Sequence, residues 1–370
     1  MKNKIIDAQF FITKISNKTI WLFVLLINID KIEGWGEATL QGKEKDVFQI
    51  KDGIFKKILN KNYTSPSDLK NILPFNNIVN ASLSSAIMQC LWDIQGKIQK
   101  KTISDIFGKK RESVEIYANF NRSTTDRSIA GIEVKSKEVL KDGFNYIKFA
   151  PFDEVLPNMT NQEKLFFMRK GLDRISVIRD VFGLKTKIMI DCHWRFNYET
   201  SIELLKECRK FNLYWLECPI PEKTADLILI KKIKSKANSF GVKLAGLETK
   251  ILKEGFYDYI KAEVYDVIMP DIKYAGGPDE MLEIEKTLNE FRIDFSPHNP
   301  SGPISYLHTM QICASTEKES LMEYQYKESP LFNSLMHNSI PEINQGKSII
   351  PNFNYGLGMS LNKKQLASLS

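Results

Sequence analysis

Lys187-Ile-Met-Ile-Asp-Cys-His-Trp-Arg-Phe196 lies near the middle of the chain and sets a pattern that returns further along. An apolar run leads directly into Asp191, and His193 follows two positions later. In an extended strand, residues at i and i+2 point to the same side, so the carboxylate and the imidazole would share one face. Taken alone, the stretch is explained as well by a buried strand that ends in a polar turn.

The same layout recurs twice downstream. Trp215-Leu-Glu-Cys-Pro219 places Glu217 after a short apolar run, and Lys243-Leu-Ala-Gly-Leu-Glu248 places Glu248 in the same way. Counted from Asp191, the steps between consecutive acids are about 26 and 31 residues, the length of one strand and its following helix. The repetition predicts that the three acids end three successive strands.

Short apolar runs alternate with amphipathic stretches from residue 114 onward. Strands that alternate with helices predict a parallel sheet, and eight such strands predict a closed (β/α)₈-type, TIM-like barrel rather than an open sheet. The predicted strands are 114–119, 144–150, 187–191, 213–217, 242–248, 266–271, 293–298 and 321–324. The predicted helices include 127–141, 162–182, 200–210, 222–239, 278–290 and 304–315. In such a barrel the functional side chains lie at the C-terminal ends of the strands, where the three acids fall.

The change of pattern at residue 114 divides the chain into domains. Residues 1–113 are predicted to form an N-terminal α+β domain, which we call the capping domain, residues 114–345 an α/β barrel, and residues 346–370 a tail that packs back onto the capping domain. We find no low-complexity linker, so we expect the two domains to be rigidly joined.

The capping domain is predicted to contain strands over 5–15 and 19–29 and helices over 45–60 and 80–99. Gly34-Trp-Gly-Glu-Ala38 contains glycines that suit a bend between strands. Asn80 is predicted as the N-cap of the second helix. The apolar residues of that helix fall on one face, which is a core face and implies no cofactor.

The composition limits the classes of function. A chain of 370 residues with 43% hydrophobic content can bury a large core. Its net charge of +7 is spread over lysine-rich helix faces without a compact basic block, which argues against nucleic-acid binding. Five cysteines without a Cys-x-x-Cys pair fit reduced thiols, and neither a signal peptide nor a membrane-spanning run is evident. We therefore expect a cytoplasmic protein without membrane or nucleic-acid partners, and a homo-oligomer as the common outcome.

Three carboxylates at adjacent strand ends would repel one another strongly in a cleft of low dielectric. A hard divalent cation resolves this conflict, and an all-oxygen ligand set favours Mg²⁺, or Mn²⁺ less often, over zinc. We therefore predict that Asp191, Glu217 and Glu248 are metal ligands. The alternative is that each acid pairs with a lysine or arginine from a neighbouring loop.

Two further strand ends carry ionisable groups. Asp271 follows the sixth predicted strand, and His298 follows the seventh in Ser-Pro-His-Asn-Pro-Ser-Gly. Adjacent strands would let Asp271 accept a hydrogen bond from the imidazole and fix its tautomer, which is the arrangement of a general base. His298 as an ordinary turn residue is the alternative.

These residues together resemble the enolase superfamily, and within it the mandelate racemase/muconate lactonizing enzyme-like branch of acid-sugar (galactonate-type) dehydratases. The resemblance covers nearly the whole chain and implies that residues 114–345 are the catalytic barrel domain, with residues 1–113 as its cap. Besides the three acids it rests on Gly34-Trp-Gly-Glu37, Leu91-Trp-Asp-Ile-Gln-Gly-Lys97, Asp271-Ile-Lys-Tyr-Ala-Gly-Gly277, His298-Asn-Pro-Ser-Gly-Pro-Ile304 and Gly356-Leu-Gly358. It implies that Mg²⁺ binds the carboxylate of the substrate and stabilises the enediolate formed when a base removes the α-proton.

The second and sixth strands separate the branches of this family. The racemase pattern ends the second strand in Lys-x-Lys. Here Lys148 matches the first lysine, but Ala150 occupies the place of the second, which disfavours a two-base racemase. The branch that uses a sixth-strand lysine is also disfavoured, because Asp271 stands in its place, although Lys273 lies two residues further on. The resemblance leaves His298 as the base.

Asp191-Cys-His193 resembles the arrangement in galactonate-type dehydratases, which implies that His193 is the general acid that protonates the departing β-hydroxyl. Glu323, at the end of the eighth strand, either hydrogen-bonds the carboxylate of the substrate or is a surface acid. Three further residues are candidate substrate contacts, namely Trp194, Arg195 and Asn299.

The predicted function is the Mg²⁺-dependent dehydration of a sugar acid, a small anionic carboxylate, to a 2-keto-3-deoxy acid. One alternative is a racemase or epimerase of a 2-hydroxy or amino acid, with Lys148 or His193 as the second base. The other is an acid-binding regulatory protein without turnover. The stereochemistry of the substrate is expected to depend on capping-domain loops near residues 15–20 and 40–50.

Overall fold

A small antiparallel sheet with its helices precedes a ring of eight parallel strands, as the change of pattern at residue 114 predicts. The computed structural model describes residues 3–16, 18–223, 225–351 and 354–369. The predicted loop at 15–20 and the predicted tail at 346–370 each contain positions that lie outside these ranges.

The capping domain is a four-stranded antiparallel sheet covered by helices. Its strands pair in the order β3-β2-β1-β4. The strands are β1 (Asn3–Lys14), β2 (Ile20–Asn28), β3 (Glu33–Glu37) and β4 (Asn62–Tyr63). The helices are α1 (Glu44–Ile58), α2 (Pro66–Lys70), α3 (Ile78–Gln99) and α4 (Ile103–Ile106).

The N-terminus of α3 differs from its prediction. Asn77, and not Asn80, is the N-cap: the side chain of Asn77 accepts a hydrogen bond from the backbone N–H of Asn80 at 2.9 Å. Both asparagines suit a cap, and the apolar period alone does not distinguish them. The predicted core face is fully buried. It comprises Leu83, Ala86, Ile87, Cys90, Leu91 and Ile94.

Gly34 and Gly36 allow close packing, and the prediction of a bend at these glycines is wrong. Both lie within β3, which pairs continuously with β2. A Cβ on Gly34 would lie 2.2 Å from the carbonyl oxygen of Cys90, and one on Gly36 would lie 2.0 Å from that of Ala86. Because both carbonyls belong to α3, only glycine lets the helix lie this close to the strand.

All eight predicted barrel strands are present, and a further helix, α9, joins β9 to β10. The strands are β5 (Ser113–Asn119), β6 (Tyr146–Phe149), β7 (Lys187–Asp191), β8 (Trp215–Glu217), β9 (Lys243–Gly246), β10 (Val267–Ile268), β11 (Asp294–Phe295) and β12 (Leu321–Gln325). The helices are α5 (Ile129–Lys141), α6 (Asn161–Phe182), α7 (Tyr198–Cys208), α8 (Leu227–Asn238), α9 (Glu254–Lys261), α10 (Pro278–Glu290), α11 (Pro303–Cys313), α12 (Leu331–Ser334) and, in the tail, α13 (Lys363–Leu369).

Side chains bridge the seam between the seventh and eighth barrel strands. Hydrogen-bonded neighbours follow the order β11-β10-β9-β8-β7-β6-β5-β12, so that within the described ranges no ladder joins β11 to β12. Across this seam the hydroxyl of Ser296 donates to the carbonyl of Leu321 at 2.5 Å. The backbone N–H of Asn299 donates to Glu323 Oε2 at 2.7 Å. The (β/α)₈-type barrel is confirmed, with side-chain contacts at this seam.

A buried layer of side chains fills the barrel beneath the strand ends. Tyr117 and Trp215 pack edge to face with ring centroids 5.6 Å apart, and Met189 lies in the same cluster. Met189 and Trp215 each precede a predicted metal ligand by two residues, so those ligands point into the barrel interior above this layer. The layer closes the floor of the site.

The tail contacts both domains. A short strand, β13 (Lys347–Ile349), pairs antiparallel with β5 of the barrel. Further on, the backbone N–H of Leu357 donates to Asp93 Oδ1 at 2.8 Å, and the carbonyl of Gly356 accepts from the N–H of Ile103 at 2.9 Å. No helix among the described residues is long and apolar enough to cross a bilayer.

A buried histidine lies where the capping domain meets the barrel. His308 of α11 is fully buried, and its Nε2 lies 2.9 Å from the backbone oxygen of Trp35 in β3. Burial lowers the pKa of His308 from its usual 6.5 to about 4. The folded protein therefore keeps this imidazole neutral at a pH where the unfolded chain binds a proton.

We predict that His308→Gln removes part of the acid sensitivity of the fold. Because the pKa is depressed in the folded state, this group destabilises the protein as the pH falls from about 6.5 towards 4, by roughly 3 kcal/mol in total. Glutamine keeps a donor for Trp35 and does not titrate. Urea unfolding at pH 7 and pH 4.5 should show a smaller loss in the variant than in the wild type. An equal loss in both proteins would contradict the prediction, and the exposed His337→Gln serves as the control.

Candidate metal and acid–base site

The three acids predicted as metal ligands converge. Asp191 and Glu217 end β7 and β8 as register partners, and Glu248 follows β9 by two residues. Each offers a carboxylate oxygen, and these three oxygens lie within 4.8 Å of one another. All three side chains are buried.

The chain turns sharply at these strand ends. His193, Cys218 and Leu247 have left-handed backbones, with φ of 47°, 44° and 70°. The left-handed conformation costs a residue other than glycine about 1–2 kcal/mol, and these three positions lie beside the three acids predicted as metal ligands. Strain of this kind persists where the surrounding structure fixes the geometry of a site.

A lysine already pairs with one of the three acids. Lys148 Nζ lies 2.6 Å from Glu217 Oε1 and 2.9 Å from Glu323 Oε1, and all three side chains are fully buried. The alternative of pairing with a basic residue is therefore realised for Glu217, with a partner from β6. Burial lowers the pKa of Lys148, but Glu217 and Glu323 raise it by more, so that it stands well above its usual value. An ammonium group in this state cannot take a proton from a substrate.

The charges of the three acids are not balanced by the protein alone. At an effective dielectric of about 20, two unit charges at this separation repel by about 3 kcal/mol or more. Burial, and then the charges of Asp191 and Glu217, raise the pKa of Glu248 well above its usual value. Burial also raises the pKa of Glu217, although Lys148 offsets part of this effect. Burial opposes the ionisation of Asp191, but His193 lowers its pKa to about 2.

The donor set fits a hard divalent cation. Three convergent carboxylate oxygens, with no described cysteine or histidine in the same cluster, form the ligand chemistry that Mg²⁺ or Mn²⁺ prefers. Glu248 Oε2 also lies 3.4 Å from His298 Nε2, so that the cation site and the predicted base are adjacent.

Asp271 and His298 make the predicted contact. His298 Nδ1 lies 2.9 Å from Asp271 Oδ2. The same oxygen is 2.7 Å from Lys273 Nζ, a buried ammonium that also contacts the hydroxyl of Ser301. Burial raises the pKa of Asp271, but the charges of Lys273 and His298 lower it below its usual value. The ionised Asp271 thus faces Nδ1 of His298, which leaves Nε2 towards the mouth of the barrel.

His193 stands across the barrel from His298. β7 and β11 are four strands apart in the ring of eight, so the loops that follow them face each other. His193 Nε2 lies 2.7 Å from Asp191 Oδ2, and the side chain is 41% exposed. Burial lowers the pKa of His193, but Asp191 raises it by more, so that the net change is upward. The contact with Asp191 therefore shifts the equilibrium of this imidazole towards its protonated form.

Glu323 is not a surface acid. Its side chain is fully buried, and its Oε1 accepts from Asn119 Nδ2 at 2.7 Å. Burial raises the pKa of Glu323, but Lys148 and then His298 lower it to about 2. An ionised Glu323 cannot donate a hydrogen bond to the carboxylate of a substrate, so its contacts favour a role in holding Lys148 and Asn299.

The three residues predicted as substrate contacts already make side-chain hydrogen bonds within the protein. The indole N–H of Trp194 donates to Glu222 Oε2 at 3.0 Å. Arg195 Nη1 donates to the carbonyls of Asp153 and Val155 at 2.9 and 2.7 Å. Asn299 donates to Glu323 through its backbone and its side chain, which leaves its buried Oδ1 without a hydrogen-bond partner among the described residues.

Sequence reasoning missed Glu222 as a site residue. Besides Trp194, it accepts a hydrogen bond from the backbone N–H of Leu247 at 2.8 Å, and so joins the loops that follow β7 and β9. The sequence feature that could have indicated Glu222 is its place in Pro-Ile-Pro-Glu222, a few residues after Glu217. Nothing in the local pattern shows that the side chain turns inward.

Known proteins are similar to this chain in sequence and in fold. Residues 132–365 match the family described as "Enolase C-terminal domain-like", and residues 10–108 match the "Mandelate racemase / muconate lactonizing enzyme, N-terminal domain". A crystal structure from Mesorhizobium loti has a TM-score of 0.88 at 22% identity and covers 99% of this chain and 98% of that one. A member of the enolase superfamily from Salmonella Typhimurium has a TM-score of 0.87 at 18% identity, over 100% and 98% of the two chains.

Curated relatives are dehydratases of sugar acids. D-gluconate dehydratase of Thermoproteus tenax is 25% identical over 77% of this chain, which spans only 56% of that protein. Arabinonate dehydratase of Saccharolobus solfataricus is 24% identical over 90% of this chain and 86% of its own length. D-galactonate dehydratase of Xanthomonas campestris pv. campestris is 26% identical over 77% and 73%. With both of its domains matched, the chain belongs to the mandelate racemase/muconate lactonizing enzyme family of the enolase superfamily.

Proposed function

We propose that this protein is a Mg²⁺-dependent dehydratase that converts a sugar acid into a 2-keto-3-deoxy acid. The observation that carries the proposal is the contact of His298 with Asp271 on one side and with Glu248 of the acid cluster on the other. The names of the relatives support the class of reaction, and the acid cluster supports the cofactor.

The metal would be held by Asp191, Glu217 and Glu248, the one described group of acids that meets the geometry. When bound, Mg²⁺ supplies positive charge beside the substrate carboxylate, which offsets the negative charge that develops as the α-proton leaves. The remaining chemistry falls to side chains of the protein.

His298 removes the α-proton through Nε2. Its Nδ1 donates to Asp271, and the carboxylate stabilises the imidazolium that results. His193, which lies across the mouth, gives a proton to the β-hydroxyl as the carbon–oxygen bond breaks. One water leaves, and the enol product tautomerises to the 2-keto-3-deoxy acid. His298 thereby takes one proton from the substrate, and His193 gives one proton to it.

The structure offers less support to a racemase. A second base would have to reach the opposite face of the α-carbon. Lys148 is fixed between Glu217 and Glu323 as an ammonium group, and Nε2 of His193 contacts Asp191. Deuterium incorporation from solvent without loss of water would favour the racemase over the dehydratase. Binding of an acid without either reaction would favour the regulatory protein.

We predict that Mg²⁺ stabilises the fold through Glu248. At a free concentration one hundred times the dissociation constant, a ligand specific for the folded state adds about 2.7 kcal/mol to the free energy of unfolding. Protein stripped with a chelator should show this gain on titration with Mg²⁺ or Mn²⁺, and Glu248→Gln should lose it. Glu285→Gln, at a buried acid on α10, serves as a matched control that keeps the gain. An equal gain in the Glu248→Gln variant would rule out the proposed ligand set.

We predict that His298→Asn and His193→Asn fail at different steps. With a panel of aldonic and aldaric acids, His298→Asn should lose both dehydration and α-proton exchange, by about 10²–10⁴-fold, because it lacks the base. His193→Asn should lose dehydration but retain exchange of the α-proton with solvent deuterium. Colorimetric assay of 2-keto-3-deoxy products and NMR of the α-proton measure the two steps. Full turnover by His298→Asn would refute its role as the base.

A further inference from the structure

We propose that Glu37 of the capping domain is a positioning residue for His298. The proposal rests on the proposed function of His298 as the base. Neither metal binding nor acid–base chemistry explains the acid in the Gly34-Trp-Gly-Glu37 motif. The proposal gives Glu37 a role.

His298 lies in a short loop whose far end is the N-terminus of α11. Gly302 is the N-cap of that helix and has no side chain with which to cap it. A Cβ on Gly302 would lie 2.9 Å from the ring of Trp21 and 3.0 Å from both carboxylate oxygens of Glu37. The space beside the first turn of α11 is thus filled by the capping domain.

Glu37 caps α11 from outside its own domain. Its Oε1 accepts from the backbone N–H of Gly302 at 2.7 Å, and its Oε2 accepts from that of Ser305 at 2.9 Å. A carboxylate at this position satisfies two free N–H groups of the helix and complements the positive end of its dipole. These two contacts fix the position at which the helix begins.

Glu37 is itself rigidly held. The side chain is fully buried, and the hydroxyl of Thr39 donates to its Oε1 at 2.7 Å. The amide of Gln89 in α3 brackets the backbone of Glu37: it accepts from the N–H at 3.1 Å and donates to the carbonyl at 3.2 Å. The position of α11 is therefore set by the sheet and the long helix of the capping domain.

The loop from His298 to Gly302 connects the start of α11 to the proposed base. Ser301, one residue before the N-cap, contacts Lys273 Nζ, which lies 2.7 Å from Asp271 Oδ2. That same oxygen accepts from His298 Nδ1 at 2.9 Å. A shift of the start of α11 therefore moves both His298 and the group that orients it.

Glu37→Gln tests the proposal with little change in volume. The amide keeps one acceptor oxygen, but it places its NH₂ group opposite one of the two helix N–H donors. Asp93→Asn is the matched control, because Asp93 is also a fully buried acid of the capping domain that accepts two backbone N–H groups. These come from Trp35 and Leu357, which contact α11 further along, at His308 and Gln311, and not at its first turn.

One measurement reports the hydrogen bonding of His298 through its tautomer and does not require turnover. Selective ¹⁵N-histidine labelling and long-range ¹H–¹⁵N spectra report the tautomer of each of the four histidines, and His298→Asn assigns the relevant signal. The wild type and Asp93→Asn should show His298 with its proton on Nδ1. Glu37→Gln should show both tautomers. Ser301→Ala, which leaves no charge unpaired, should change the same signal in the same direction.

A second measurement separates kcat from KM. Glu37→Gln should lower kcat at least about tenfold, because a small displacement of a base from its reacting atom is costly. KM and the affinity for Mg²⁺ should stay within about twofold, and Asp93→Asn should keep the wild-type kcat although it loses thermal stability.

The outcomes separate the two proposals. An unchanged His298 signal in Glu37→Gln, or an equal fall of kcat in Asp93→Asn, would overturn the role of Glu37. Absence of turnover by the wild type on every acid would overturn the proposed function alone. The NMR comparison would still decide whether Glu37 positions His298.

Discussion

The repulsion between three buried carboxylates governs the mouth of this barrel. Asp191, Glu217 and Glu248 lie close enough to oppose one another's ionisation, and the fully buried ammonium group of Lys148 contacts Glu217. Such a cluster is stable when a divalent cation binds it or when protons neutralise it. The left-handed backbones of His193, Cys218 and Leu247 beside these acids indicate that the surrounding structure fixes the geometry despite the repulsion. The fold therefore maintains a geometry that a bound cation or added protons would stabilise.

The capping domain and the barrel form one functional unit. Glu37 and the buried His308 both lie at the interface between the domains, and the loop after β10 contacts α3 through Gly276, whose N–H donates to the hydroxyl of Ser85 at 3.1 Å. The seam between β11 and β12, which lacks a ladder in the described ranges, lies beside His298. Contacts from the capping domain thus restrain the loop that follows β11, at the seam where no ladder joins β11 to β12 in the described ranges.

Periodic features of the sequence predicted the barrel and the convergence of the acids, because strand–helix repeats bring successive strand ends to one rim. The hydrogen bond between Asp271 and His298 followed from the same rule. The roles of Gly36, Asn77 and Glu222 did not, since each depends on which distant group lies within a few ångströms. The burial of Glu323 could not be predicted from the sequence either, because an acid at a strand end has the same local pattern whether it points inward or outward.

A crystal structure with Mg²⁺ and a slowly reacting sugar acid tests the central claim most directly. We expect one ion bound by Asp191, Glu217 and Glu248, and the α-carbon of the ligand within reach of His298 Nε2. Three carboxylates that point in different directions with no ion between them, at saturating Mg²⁺, would contradict the account.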